Sequence, residues 1–194
     1  MPIQSPQELL TYELQTIQDA EEQAAQALQQ IEKSAEDRQM KGMIDRRLKQ
    51  GKQVLQDVQK GLNKLDGSSS RSAQNAAARG LIQECERLAK EVRTPEMKQA
   101  VTIDGLQKLE HYCIAAWGTV KAMARECGEQ ELAQSMERAI KEGYQWDKEM
   151  TQLAEGRINP EALAQSPESE GKQSQSRSSQ GKSSQSKSSQ SKRT

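Results

Sequence analysis

The stretch SPQELLTYELQTIQDAEEQAAQALQQI, residues 5–31, predicts one long amphipathic helix with a sharply defined start. Ser5 is a good N-cap, Pro6 fits the first turn, and Glu8 completes a capping box. Glu21 falls inside the apolar stripe of this helix, where an apolar residue would be expected. The stripe recurs at helical spacing and comprises Leu10, Leu14, Ile17, Ala24, Leu28 and Ile31.

Four more helices are predicted downstream of this one. The second covers about residues 36–65 and stops at the Gly/Ser-rich segment that follows it. A shorter helix is predicted over about residues 75–92. Thr94-Pro95 then starts a third long helix, which Gly128 ends, and a fourth long helix covers about residues 129–155.

The order of these helices predicts an all-α fold. Two long helical hairpins joined by a crossover with a short helix are the connectivity of a ferritin-like four-helix bundle. We assign residues 5–156 to the bundle and residues 157–165 to a linker. Residues 166–194 contain the related pentapeptides GKQSQ, SRSSQ, GKSSQ and SKSSQ at 171–190, and their composition predicts a disordered tail.

Composition narrows the possible classes of function. Apolar residues make up 33% of the chain and Phe is absent, which argues against a β fold. Outside the tail the chain has 22 basic and 26 acidic residues, so the bundle is not expected to bind nucleic acid. Three cysteines without paired spacing, and residues 1–10 without the features of a signal peptide, predict a cytoplasmic protein. No apolar run is long enough for a membrane span.

Several motifs together resemble the YciF/YciE-type ferritin-like bacterial stress proteins. The most specific is LEHYCIAAWGT at residues 109–119, and the resemblance extends over about residues 5–155. It implies a cytoplasmic helical bundle, a homodimer and a link to stress responses. It also implies that some members hold a metal pair in the bundle core, as rubrerythrin does. The other motifs are Tyr12-Glu13-Leu14, Asp19-Ala20-Glu21, Leu81-Ile82-Gln83-Glu84, and Glu142 with Asp147 and Leu153-Ala154.

The ligands of such a metal pair are incomplete in this sequence. A di-iron site of this type uses a Glu from each of two helices and a Glu-x-x-His from each of the other two. His111 is the one histidine of the chain, and Lys108 stands three residues before it. Residues 46–54, RRLKQGKQV, contain neither a carboxylate nor an imidazole. Cys113 and Gly143 stand where the resemblance gives Glu.

We therefore expect no iron, no other cofactor and no catalytic residue. Glu21, Glu110 and Glu142 are predicted to be vestigial carboxylate positions. Arg47 or Lys49 is predicted to replace the metal as the counter-charge of these carboxylates, while the alternative is that some of the carboxylates, Glu84 included, face solvent. His111 is expected to be partly buried with a hydrogen-bond partner, and Cys113 to pack in the core.

The leading functional hypothesis is a non-enzymatic, stress-associated structural or interaction protein that has lost di-iron binding. One alternative is a metal-dependent oxidoreductase or peroxide-handling protein, with iron held by a rearranged site around Glu21, Glu110 and Glu142. Another alternative is a binding module whose basic tail attracts a nucleic acid or an acidic partner. The tail has basic residues at intervals of five, but its charge is modest.

Overall fold

The computed structural model describes residues 3–35, 37–65 and 73–165, and within these stretches the chain is helical without strands. Six α-helices and one π-helical turn follow one another along the chain. They are α1 (Pro6–Ser34), α2 (Arg38–Lys64), α3 (Ala76–Glu91), α4 (Pro95–Glu126), α5 (Gln130–Leu153), the π turn (Ala154–Ile158) and α6 (Asn159–Ala164). The predicted all-α architecture and the five predicted helices are confirmed.

Side-chain caps start four of these helices. The Ser5 hydroxyl accepts a hydrogen bond from the backbone N–H of Glu8 at 3.1 Å, as the sequence predicts. The carboxylate of Glu8 accepts from the backbone N–H of Gln4 at 2.7 Å. Three further N-caps bond the backbone three residues on in the same way, and they are Asp37, Asn75 and Thr94.

A Schellman motif ends α4 at the predicted glycine. Gly128 has a φ of 81°, a left-handed conformation that favours glycine. Its N–H donates to the carbonyl of Arg125 at 3.2 Å, and the N–H of Glu129 donates to the carbonyl of Ala124 at 2.8 Å. The chain therefore reverses within a few residues, which lets α5 return antiparallel along α4.

The helices pack as two hairpins joined by a crossover. The hairpins are α1 with α2 and α4 with α5, and they meet where α1 packs on α4 and α2 packs on α5. The short helix α3 crosses over α1 and α4. It is placed by Asn75, whose amide donates to the carbonyl of Thr16 at 3.0 Å and to the hydroxyl of Tyr112 at 2.7 Å.

The apolar core contains two large clusters and one small one. One large cluster surrounds Trp117 and includes Leu14, Val58 and Met136. The other large cluster surrounds Ile44 and includes Ile103, Trp146 and Met150. The buried charged residues Glu21, Arg47 and Glu110 occupy the helix positions between the two large clusters, at the middle of α1, α2 and α4.

Residues 157–165 differ from the linker that the sequence predicted, because most of them belong to helical structure that packs on the bundle. Ile158 is 1% exposed and Ala162 is 5% exposed. Pro160 lies in the first turn of α6, where its missing N–H leaves no intrahelical bond unmade, so it starts a helix here. The predicted disordered tail, residues 166–194, lies outside the described residues.

Candidate functional site

Arg47 lies in the bundle core between two carboxylates from different helices. Its Nη1 donates to Oε2 of Glu21 at 3.0 Å and its Nη2 donates to Oε1 of the same side chain at 3.2 Å. Its Nε donates to Oε2 of Glu110 at 2.5 Å. One guanidinium of α2 thus joins α1 to α4 through a two-point and a one-point ion pair.

The surroundings of this ion-pair cluster of Glu21, Arg47 and Glu110 are apolar. None of the three residues is more than 2% exposed. The guanidinium carbon of Arg47 lies 5.3 Å from the ring centroid of Trp117, within cation–π range. Oε1 of Glu110 and Nε1 of Trp117 are both buried and have no hydrogen-bond partner among the described residues. The three charges are therefore shielded from water, and one carboxylate oxygen among them is unsatisfied.

Burial and charge shift the pKa values of the cluster in ways that follow from this geometry. Burial alone would lower the pKa of Arg47, but Glu21 and Glu110 more than offset it, and the guanidinium pKa lies well above its ordinary value. Burial raises the pKa of Glu110 despite the opposing effect of Arg47. Burial, followed by the charge of Glu21, raises the pKa of the Cys113 thiol well above its ordinary value. The arginine therefore stays charged, and Cys113 is a protonated core residue rather than a reactive thiol.

Two of the predicted site residues do not join the cluster. Lys49 is exposed and pairs with Asp45 at 2.7 Å, because it lies two residues from Arg47 and hence about 200° around α2. Glu142 is exposed, and the next residue, Gly143, is the one that faces Glu110. The predicted residue, Glu142, therefore lies one position before Gly143, the residue that contacts the core.

Glu84 and His111 also lie at the surface. Glu84 pairs with Arg87 at 2.9 Å, one helical turn further along α3. The side chain of His111 is 55% exposed and its Nε2 lies 3.2 Å from Oδ2 of Asp147. The predicted partner of the histidine is present, but its partial burial is wrong, because the position next to the inward-facing Glu110 points about 100° away from it.

The residues of the cluster do not fit a di-iron centre. Both oxygens of Glu21 and one oxygen of Glu110 already accept hydrogen bonds from Arg47. Within residues 3–35, 37–65 and 73–165, no three side chains of His, Cys, Asp or Glu are grouped so that they could hold a metal ion. The guanidinium of Arg47 lies between the two carboxylates that a metal ion would need as ligands.

Glycines give the cluster its close packing. A Cβ on Gly51 would lie 2.9 Å from Oε2 of Glu21 and 3.0 Å from Nη1 of Arg47. The contacts of Trp117 and the glycines with the cluster were not foreseen from the sequence. The helical register could have favoured Arg47 over Lys49, since it follows Ile44 by three residues and precedes Gly51 by four.

Comparison with known proteins agrees with the fold and the motifs. The family DUF892, described as a domain of unknown function, matches residues 5–163. The chain belongs to this family. Protein YciF of Escherichia coli is 22% identical over 162 residues, which cover 84% of this chain and 98% of YciF. The resemblance to YciF-type proteins that the sequence predicted is confirmed.

Two solved structures share the fold of this DUF892 member. The E. coli stress protein YciF superposes with a TM-score of 0.71 at 21% identity, over 81% of this chain and 99% of that chain. YcfI of Rhodopseudomonas palustris, described as a candidate structural protein, superposes with a TM-score of 0.71 at 26% identity. That match covers 77% of this chain and 94% of YcfI.

Proposed function

We propose that this DUF892 member is a non-enzymatic structural or interaction protein of the stress response, and that an arginine replaces the di-iron centre of a ferritin-like bundle. The observation that carries the proposal is the guanidinium of Arg47 between the buried carboxylates of Glu21 and Glu110. A stress role is supported by the description of E. coli YciF as a stress protein. A structural role is supported by the description of YcfI.

Electrostatics supports the loss of iron. Two iron ions carry about four to six positive charges and need oxygen and imidazole donors. Here the carboxylates of Glu21 and Glu110 pair with one fixed positive charge, the guanidinium of Arg47. Its raised pKa keeps this group protonated. An iron pair would have to displace Arg47 from a site that offers it no water, and removing one partner from a buried ion pair is strongly unfavourable.

The oxidoreductase alternative needs a different arrangement of the same residues. Glu142 would have to turn from the surface into the core, and Gly143 now fills the corresponding position beside Glu110. Arg47 would have to leave at the same time. Nothing in the described part of the chain provides a second site where these carboxylates could meet.

The proposal retains two further features that the family resemblance implies, namely a homodimer and a cytoplasmic location. No helix of residues 3–35, 37–65 or 73–165 has the length and apolar character that a membrane crossing requires. Sedimentation velocity of the purified protein tests the dimer directly. A single species at the monomer mass across the micromolar range would contradict it.

Iron analysis tests the central claim. The purified protein is incubated anaerobically with excess Fe²⁺ and desalted, and the iron that remains is measured per chain by mass spectrometry. We expect background iron for the wild type, whereas a di-iron protein should retain about two ions per chain. Arg47→Gln is measured in parallel, because it removes the positive charge and leaves both carboxylates. Retention of about two irons by the wild type would overturn the proposal.

A further inference from the structure

We propose that the exposed face of α2 binds the phosphate backbone of a nucleic acid. Helix α2 carries eight basic and two acidic residues among its 27 residues. Its neighbour α1 carries one basic and six acidic residues. The near-neutral total charge of the chain therefore conceals one strongly basic helix, and local charge rather than the total decides which surface a polyanion contacts.

The basic residues of α2 lie on one continuous face. At about 100° per residue, all exposed positions of α2 fall within an arc of about 160°. Seven of them are basic, one is acidic (Asp45), and the others are Gln, Asn or Gly. We call this surface the basic face of α2, and its basic residues are Arg38, Lys41, Arg46, Lys49, Lys52, Lys60 and Lys64.

The centre of the basic face has a regular spacing. Arg38, Lys49 and Lys60 follow one another at intervals of eleven residues, and Lys41 and Lys52 have the same separation. Eleven residues are close to three full turns of an α-helix, so equivalent side chains stay in line. The line from Arg38 to Lys60 is about 33 Å long, close to one turn of a B-form duplex.

The charges at the centre are the least neutralised ones. At the edge facing α5, Arg46 pairs with Glu149, and Lys64 pairs with Glu131 at 2.8 Å. Lys60 pairs with Asp57 at 3.6 Å, whereas Arg38, Lys41 and Lys52 have no ion pair within the described part of the chain. Lys49 pairs with Asp45, but an exposed pair of this kind contributes little and is readily exchanged for another anion.

The chemistry of the basic face favours phosphate over a membrane surface. An interfacial helix needs a large apolar side to enter the headgroup region. The exposed large hydrophobic residues of the described chain all lie outside α2. Gln53, Gln56, Gln59 and Asn63 lie among the lysines and could donate to phosphate oxygens. Contacts of this kind recognise the backbone and not the base sequence, so the binding is sequence-independent and sensitive to salt.

The test compares three full-length variants that change the net charge equally. Lys49→Glu with Lys52→Glu reverses the centre of the basic face. Lys90→Glu with Lys98→Glu reverses two exposed lysines of α3 and α4. Lys182→Glu with Lys187→Glu reverses two lysines of the C-terminal repeats. Binding to a fluorescent 30-base-pair duplex of random sequence is measured by anisotropy at several salt concentrations, with phosphatidylserine vesicles and polyglutamate as other anionic probes.

We expect the wild type to bind the duplex with a dissociation constant in the range of about 1–100 μM at physiological salt, as sequence-independent binders do, and more tightly at lower salt. The Lys49/Lys52 variant should bind at least about tenfold more weakly and with a lower salt dependence, because about two phosphate contacts are lost. The other two variants should change less than about threefold. The proposal is overturned by absence of wild-type binding, by equal losses in all three variants, or by a loss confined to the repeat variant. Tighter binding to vesicles or to polyglutamate than to the duplex also overturns it.

Discussion

Gly143 of α5 approaches Glu110 of α4 so closely that a Cβ on the glycine would lie 2.7 Å from Oε1 of the glutamate. This Cβ would also lie 2.9 Å from the ring of Trp117. Gly51 of α2 has an equivalent relationship to Glu21 and Arg47. The ion-pair cluster therefore fills space that two glycines leave open, and the charges and the glycines form one packing unit.

We predict that Gly143→Ala destabilises the protein, although alanine is the better helix former by about 1 kcal/mol. The added methyl group must displace a buried carboxylate or an indole ring, and overpacking of this kind costs about 1–3 kcal/mol. Urea unfolding followed by circular dichroism gives the free energy of unfolding.

Gly118→Ala is the matched control, because a Cβ on Gly118 would have nothing within 4 Å. This substitution in α4 should leave the free energy of unfolding unchanged or raise it by up to about 1 kcal/mol. Equal effects of Gly143→Ala and Gly118→Ala would show that the contact with Glu110 is unimportant.

Local signals in the sequence are sufficient to predict the first five helices of this fold. Ser5 and Thr94 cap α1 and α4 as predicted, and Gly128 ends α4, because each acts on backbone groups within a few residues of itself. The same local reasoning failed for residues 157–165, which it assigned to a linker. There the choice between ending one helix and starting the next depends on Ile158 and Ala162, which pack on the bundle.

The candidate site could be predicted only in part. An acidic residue within an apolar stripe identified Glu21 and Glu110, since burial of such a residue requires a partner. The identity of the partner depends on which side of α2 faces the core, and adjacent Arg46 and Arg47 differ in this respect by about 100°. The close approach of Gly143 and the stacking of Trp117 involve three helices, so no spacing within one helix indicates them.

We predict that Arg47→Met destabilises the protein by about 3–5 kcal/mol, because the substitution leaves Glu21 and Glu110 buried without a counter-charge. The adjacent Arg46→Met is the matched control, since Arg46 forms a surface ion pair with Glu149. That change should cost no more than about 1 kcal/mol. Urea unfolding of both variants at pH 7 separates the two positions, and comparable losses would contradict a special role for Arg47.

The triple variant Glu21→Leu, Arg47→Met and Glu110→Leu tests whether the ion-pair cluster adds net stability to the fold. The alternative is that its buried charges only need to be balanced by one another. Replacing a whole buried ion cluster by apolar residues of similar size is often neutral or stabilising, by about 1–4 kcal/mol. We expect the triple variant to be at least as stable as the wild type, despite the large loss in Arg47→Met alone. A triple variant as unstable as Arg47→Met would show that the cluster itself supplies net stability.

We predict that Asn75→Ala loosens the crossover helix. Asn75 caps α3 by accepting from the N–H of Ala78 at 2.9 Å, and it also bonds Thr16 and Tyr112. Loss of the cap should cost about 1–2 kcal/mol and increase amide exchange throughout α3. Tyr112→Phe removes only the hydrogen bonds between Asn75 and the tyrosine hydroxyl and leaves the cap, so it should have a smaller effect, as measured by hydrogen–deuterium exchange. Exchange in α3 that is equally fast in both variants would be inconsistent with a capping role.

We predict that Glu110→Gln becomes more stable, relative to the wild type, as the pH rises from about 4.5 through the folded-state pKa of Glu110. Burial raises the pKa of Glu110 in the folded state above its ordinary value of 4.5, which it retains when unfolded. The folded state therefore binds the proton more tightly. The stability that Glu110 contributes is full below pH 4.5 and is lost as the pH rises through the folded-state pKa. Glutamine does not ionise, so the variant avoids this loss.

Urea unfolding of both proteins at pH 4.5, 6 and 8 checks this prediction. The other charged groups that act on Glu110 are Arg47, Glu21 and Asp147, and all three are present in both proteins. Burial raises the pKa of the Cys113 thiol well above its ordinary value. That group therefore remains protonated at every pH of the series. A stability difference that is constant with pH, or that increasingly favours the wild type, would mean that Arg47 fully compensates the buried charge of Glu110.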